Sequence, residues 1–136
     1  MWVDADVNLS DGIFVDAPSE ANHISLAPRL TSTGGLTVIH PSGFGASLRY
    51  RHIGDRPANE DNSVVAEGYT VTNLGLSYAY GPFKYFVAVE NLFDVDWNEA
   101  QFDTESRLID ETQPVSEIHF TPGNPLNLQA GISYEF

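Results

Sequence analysis

Six stretches of this chain alternate apolar and polar residues with a period of two, and few folds satisfy that pattern. Successive side chains of a β-strand point to opposite faces, so a period of two separates apolar from polar residues only in a strand. Val3, Ala5, Val7 and Leu9 share one face, against Asp4, Asp6 and Asn8. Leu26, Pro28, Leu30, Leu36 and Val38 oppose Arg29, Thr31, Thr33 and Thr37. Phe44, Ala46, Leu48 and Tyr50 oppose Ser47, Arg49 and Arg51. Leu74, Leu76, Tyr78 and Tyr80 oppose Asn73, Gly75 and Ser77, and Tyr85, Val87 and Val89 oppose Lys84, Ala88 and Glu90. Leu126, Leu128, Ala130, Ile132, Tyr134 and Phe136 oppose Asn127, Gln129, Gly131, Ser133 and Glu135. Pro28 has no amide hydrogen to give a ladder and is expected at a strand start or a bulge.

The connections alternate between very short and long. "HPSG" at 40–43 places Pro second and Gly fourth, a type I turn signature, and "YGPF" at 80–83 is equally tight. Between them run polar links over about 10–25, 54–68 and 94–124. Tight turns at one end and long links at the other describe an antiparallel up-and-down meander of about six strands. The first residues, "MWVDADVNLS", already alternate and carry neither a basic nor an apolar signal region, so the chain reads as beginning inside a strand.

Charge follows the same division. Nineteen acids face six bases, a formal charge of −13. Phosphate backbones need basic density, so nucleic acid is excluded as a partner. Fifteen of the acids lie in the three long links, and the apolar strand faces carry none. With no cysteine there is no disulfide and no thiolate metal site. The longest uncharged apolar run, "YFVAV" at 85–89, is far too short for a membrane helix, which needs about 18 residues.

An uncharged face opposite one bearing Arg29, Arg49, Arg51, Lys84, Glu90 and Glu135 fits two architectures. One is a transmembrane barrel with lipid outside and a polar lumen inside. The other is a soluble lipocalin-like barrel or sandwich holding an apolar ligand. The aromatic residues favour the first. Tyr78, Tyr80, Phe83, Tyr85, Tyr134 and Phe136 fall near the tight turns, and Tyr50, Tyr69, Phe93 and Trp97 near the long links, as two interfacial girdles would. Six strands are too few to close such a barrel, since the smallest use about eight. The chain is therefore expected to be part of a longer one, or a member of an oligomeric pore.

The stretch "RHIGDRPANEDNSVVAEGYTVTNLGLSYAYGPFKYFVAVENLFDVDW" resembles the last strands of TonB-dependent outer-membrane receptors. In that family a V-x-N-L-F-D run in the penultimate strand precedes a loop and a final strand ending in Phe. Val89, Asn91, Leu92, Phe93, Asp94 and then Phe136 match it, and the resemblance extends from about residue 26 to the end. It implies a barrel of about 22 strands with a plugged lumen, in the outer membrane of a Gram-negative bacterium. It also implies uptake of a scarce nutrient, such as a siderophore or other metal chelate, energised through TonB. The expected partners are outer-membrane lipid, the rest of the receptor, TonB through the plug, and the barrel-insertion machinery. Residues 1–136 are expected to be the C-terminal portion of the barrel, with the plug and earlier strands outside it. Leu128, Ile132, Tyr134 and Phe136 match the family's insertion signal, and Arg29, Arg49 and Arg51 are candidates to face the lumen.

No catalytic, cofactor or metal site is expected. His52, Asp55, Arg51 and Arg56 cluster at the end of the third strand, where a polar strand-to-loop junction accounts for them. No two histidines have a ligand spacing, and there is no G-x-S-x-G elbow. The acidic links could attract a cationic ligand, bind calcium beside lipopolysaccharide, or simply keep an exposed surface soluble.

Overall fold

Every alternating stretch forms a strand in the computed structural model, which describes residues 1–136, except that Leu26, Pro28 and Arg29 of the second stretch lie ahead of its strand, with Leu26 in left-handed backbone. In chain order the strands are β1 (Trp2–Leu9), β2 (Leu30–Ile39), β3 (Phe44–Ile53), β4 (Arg56–Pro57), β5 (Val65–Ala66), β6 (Tyr69–Tyr80), β7 (Phe83–Glu90), β8 (Asn98–Ser106), β9 (Val115–Pro122) and β10 (Asn127–Tyr134). β1, β2, β3, β6, β7 and β10 form one sheet in that order, every pair antiparallel. The fold is all-β, a six-stranded meander.

The register carries the alternation across the whole sheet. Val3, Leu36, Leu48, Leu74, Val89 and Leu128 stand side by side in one row, one from each strand. Val38, Ala46, Leu76, Val87 and Ala130 make the next row on that face. One position along, on the opposite face, lie Asp4, Gly35, Arg49 and Asn73. The two faces inferred from parity are thus the two faces of the sheet.

Both tight connections form as expected. The Gly43 amide donates to the His40 carbonyl at 3.0 Å, and Gly43 takes φ 90°. Gly81 and Pro82 alone link Tyr80 to its partner Phe83, with Gly81 at φ 56°. Pro28 precedes β2 and lies outside any ladder, which removes its conflict with strand pairing.

Three expectations change. The link over 94–124 is not a simple loop but holds a separate hairpin of β8 and β9. Its first strand ("NEAQFDTES") has Ala100 and Phe102 as its only apolar residues, too few to stand out as an alternating apolar face. The short ladder of β4 and β5 likewise sits inside the link over 54–68. The second aromatic girdle does not form as a band on the apolar face. Tyr69 lies an odd number of residues from Leu74, so it stands on the polar face, where it is buried and packs against Trp97 in a tilted arrangement with centroids 4.7 Å apart. At the tight-turn end the girdle does form. Phe83 lies 5.2 Å from Tyr134 and 6.3 Å from Tyr85, and Tyr134 lies 6.1 Å from Phe136.

The sheet neither closes on itself nor meets a second layer over its apolar face. Of the 136 residues nine are buried, and only Ala58, Ala66, Tyr69 and Val71 among them are apolar side chains of a core. Leu128 and Ile132 remain 63% and 67% exposed. Within this chain the apolar rows build no dry interior, so no self-contained lipocalin-like barrel or sandwich is formed.

Candidate functional site on the polar face and its loop rim

The polar face is organised around Arg49. Its guanidinium reaches across β2 and donates to both carboxylate oxygens of Asp4 on β1, at 3.0 and 2.7 Å. Gly35 is the residue crossed. A Cβ there would stand 3.0 Å from Arg49 Cγ and 2.7 Å from the Leu48 carbonyl oxygen, so the fork lies flat only over glycine. Arg51, two residues on, projects from the same face. Its guanidinium carbon sits 5.4 Å from the Tyr69 ring centroid and 5.2 Å from that of Trp97, a cation–π arrangement. Thr33, Arg49, Arg51, Val71 and Asn73 line a cleft of about 450 Å³ along this face. Arg29, grouped with these arginines in the sequence, is instead outside β2 and pairs with Asp11 at 3.1 Å beside the long links.

The V-x-N-L-F-D residues have a structural task. β7 and β10 pair directly although residues 91–126 intervene, so the excursion must close at its neck. Asn91, 1% exposed, does this with one side chain. Its amide nitrogen donates to the carbonyls of Val95 (2.9 Å) and Asn124 (3.1 Å), and its amide oxygen accepts from the Val95 amide at 2.9 Å. Asn91 and Asp94 both take left-handed backbone, φ 50° and 49°, which Asn and Asp tolerate better than most side chains. Asp94 accepts from the Leu126 amide at 2.9 Å, tying the turn to the start of β10. Trp97 Nε1 donates to the Asn124 carbonyl at 3.0 Å, and the Trp97 indole packs on Gly123 so closely that no Cβ fits there. Val89 points to the apolar face, and Phe93 is exposed.

The three long links are joined to one another. The His23 amide donates to the Glu60 carbonyl and the Leu26 amide to the Pro57 carbonyl, at 3.0 and 2.7 Å. Gln101, buried on β8, accepts from the Glu67 amide at 3.1 Å and donates to the Glu67 carbonyl at 2.7 Å, as a neighbouring strand would. Ser63 donates through both its amide and hydroxyl to Asp61, which holds that carboxyl below the usual carboxylate range. The acidic links therefore form one continuous rim rather than three independent loops.

The His52, Asp55, Arg51 and Arg56 cluster does not converge. His52 and Arg51 are consecutive and take opposite faces, His52 bonding Thr70 at 2.8 Å. Asp55 accepts from the Gly68 amide at 2.7 Å. No group of three or more His, Asp or Glu side chains is arranged to hold a metal ion. His52 and Asp55 each hold a neighbouring segment in place through one hydrogen bond. Leu128, Ile132 and Tyr134 lie on the apolar face of β10, an open edge strand, and Phe136 stands just beyond it, fully exposed. Asp4, Gly35 and Gln101 escaped the sequence reading. Asp4 and Gly35 were legible as facing Arg49 only once the register was known, and Gln101 carried no signal at all.

No protein-family model and no curated protein matches the chain. Among solved structures it is similar to the ferric yersiniabactin uptake receptor FyuA from Yersinia pestis. The likeness is one of fold alone. The match has a TM-score of 0.60 at 18% identity and covers 96% of this chain. It covers 20% of that receptor, so the chain spans about a fifth of its length.

Asn91→Ala removes three buried hydrogen bonds and leaves a non-glycine residue in left-handed backbone, and it is expected to destabilise the fold by roughly 2–4 kcal/mol. Asn91→Gly, which keeps that backbone conformation, should be milder; denaturant titration in detergent measures both. Gly35→Ala is expected to cost about 1–3 kcal/mol by forcing Arg49 and β3 outward. Gly123→Ala should displace the Trp97 indole, seen as a red-shifted tryptophan emission.

Proposed function

We propose that residues 1–136 form the C-terminal strands of a TonB-dependent outer-membrane receptor. The complete barrel would take up a scarce nutrient such as a siderophore or another metal chelate. The observation that carries this reading is an apolar sheet face with nothing over it, on a meander whose two edges are both unpaired. Lipid covers such a face, and further strands pair such edges, because unpaired backbone groups in hydrocarbon cost several kcal/mol each. The strands of 8 to 12 residues match the length that crosses a bilayer when tilted. Supporting it are the likeness in fold to an uptake receptor and the V-x-N-L-F-D and C-terminal Phe residues.

In this reading Arg49 and Arg51 face the barrel lumen, where they meet the plug or an anionic substrate, and Arg29 stands at the rim. TonB acts through the plug. Leu128, Ile132, Tyr134 and Phe136 present the final strand to the insertion machinery. An exposed edge strand with one apolar face suits capture by strand addition. The acidic rim faces the outside medium.

Two measurements test this. Leu76→Lys, on the apolar face, is expected to destabilise the lipid-embedded protein by roughly 2–4 kcal/mol, whereas Ser77→Lys, one residue along, should cost far less. Equal costs would remove the lipid-facing assignment. Disrupting the complete gene should abolish energised uptake of one radioiron-labelled chelate, and loss of TonB should do the same. Uptake that persists in both strains would overturn the transport reading.

A further inference from the structure

The chain has six Lys and Arg residues, and five are accounted for by pairing, stacking or exposure. Arg29 pairs with Asp11 and Arg49 with Asp4, Arg51 lies against two rings, and Lys84 and Arg107 are exposed. Arg56 is different. It is 8% exposed, its Nη1 is buried with no hydrogen-bond partner, and its guanidinium makes no ion pair. A charge taken out of water is costly unless something pairs with it, and guanidinium does not lose its proton to escape that cost.

Arg56 lines a cleft of about 230 Å³ with His23, Arg29, Asp55, Pro57, Asn62 and Val65. The walls are held. Arg56 pairs with Ala66 in the β4–β5 ladder, and the link before β2 is tied on by the His23–Glu60 and Leu26–Pro57 backbone bonds. Two arginines and a histidine are thus gathered in one preformed hollow on an otherwise acidic rim. Asp55 is the one carboxylate in the wall, and it accepts from the Gly68 amide and forms no ion pair with Arg56.

We propose that this cleft binds a phosphate-type oxyanion, with Arg56 as its buried fork and His23 and the Asp11-paired Arg29 at its mouth. A planar guanidinium carries paired donors whose spacing matches such an anion in a bidentate way. The ligand is either free phosphate or the phosphate of a lipid headgroup at the membrane surface. The inference stands on the cleft alone and does not depend on the transport reading.

The test uses the protein expressed from its complete gene and purified in detergent, titrated calorimetrically at constant ionic strength. Inorganic phosphate is one probe, and micelles of phosphorylated or dephosphorylated lipopolysaccharide are the other. Saturable binding is expected, weakened on the order of tenfold or more in Arg56→Met and unchanged in Arg107→Gln. Arg56→Lys keeps the charge without the fork and should also bind more weakly. Without ligand, Arg56→Met should be at least as stable as the parent, because it removes an unpaired buried charge. Binding of free phosphate assigns the site to a soluble anion; Arg56-dependent binding of phosphorylated micelles alone assigns it to the headgroup. Binding of neither probe overturns the proposal. So does unchanged affinity in either folded Arg56 variant, or an Arg56→Met protein destabilised without ligand.

Discussion

The ladder that sets Val3, Leu36, Leu48, Leu74, Val89 and Leu128 in one row is the constraint on which the other features rest. A slip of one residue in any of its five pairings would turn that strand's apolar side chains to the polar face. With the register kept, the apolar surface is continuous and uncovered, and the polar surface is continuous and charged. Such a sheet leaves its apolar rows exposed and the outer backbone of β1 and β10 unpaired. Its stability depends on what covers the apolar rows and what pairs with the backbone of β1 and β10.

Keeping that register across β7 and β10 required a solution to a problem of connectivity. Residues 91–126 must leave the sheet, fold as their own hairpin, and return in the correct phase. Asn91, Asp94 and Trp97 meet the returning segment at Asn124 and Leu126 and hold the neck shut. The motif that most resembles a family signature is therefore structural at this site. Its side chains satisfy backbone groups that a turn of this shape would otherwise bury unpaired.

The charged face follows a similar logic. Arg49 reaches Asp4 because glycine stands between them, and Arg51 rests on rings that parity places on the same side. Arg56, on the rim, has no such partner. These arginines look alike in the sequence and differ in the structure because their neighbours come from distant segments.

The strands, the tight turns and the assignment of side chains to two faces were legible from the residues alone. Alternation and turn chemistry are local, and a period of two leaves only one way to sort the faces. Parity also held the correct position of Tyr69, although its nearness to the long link suggested a girdle. The β8–β9 hairpin, the joining of the three links and the roles of Asn91 and Gln101 were decided by tertiary structure. Each depends on hydrogen bonds between polar segments distant in sequence, and polar residues without periodicity carry no record of their partners. The alternation thus determined that a two-faced sheet forms, and only the folded chain decided which side chains hold its connections together.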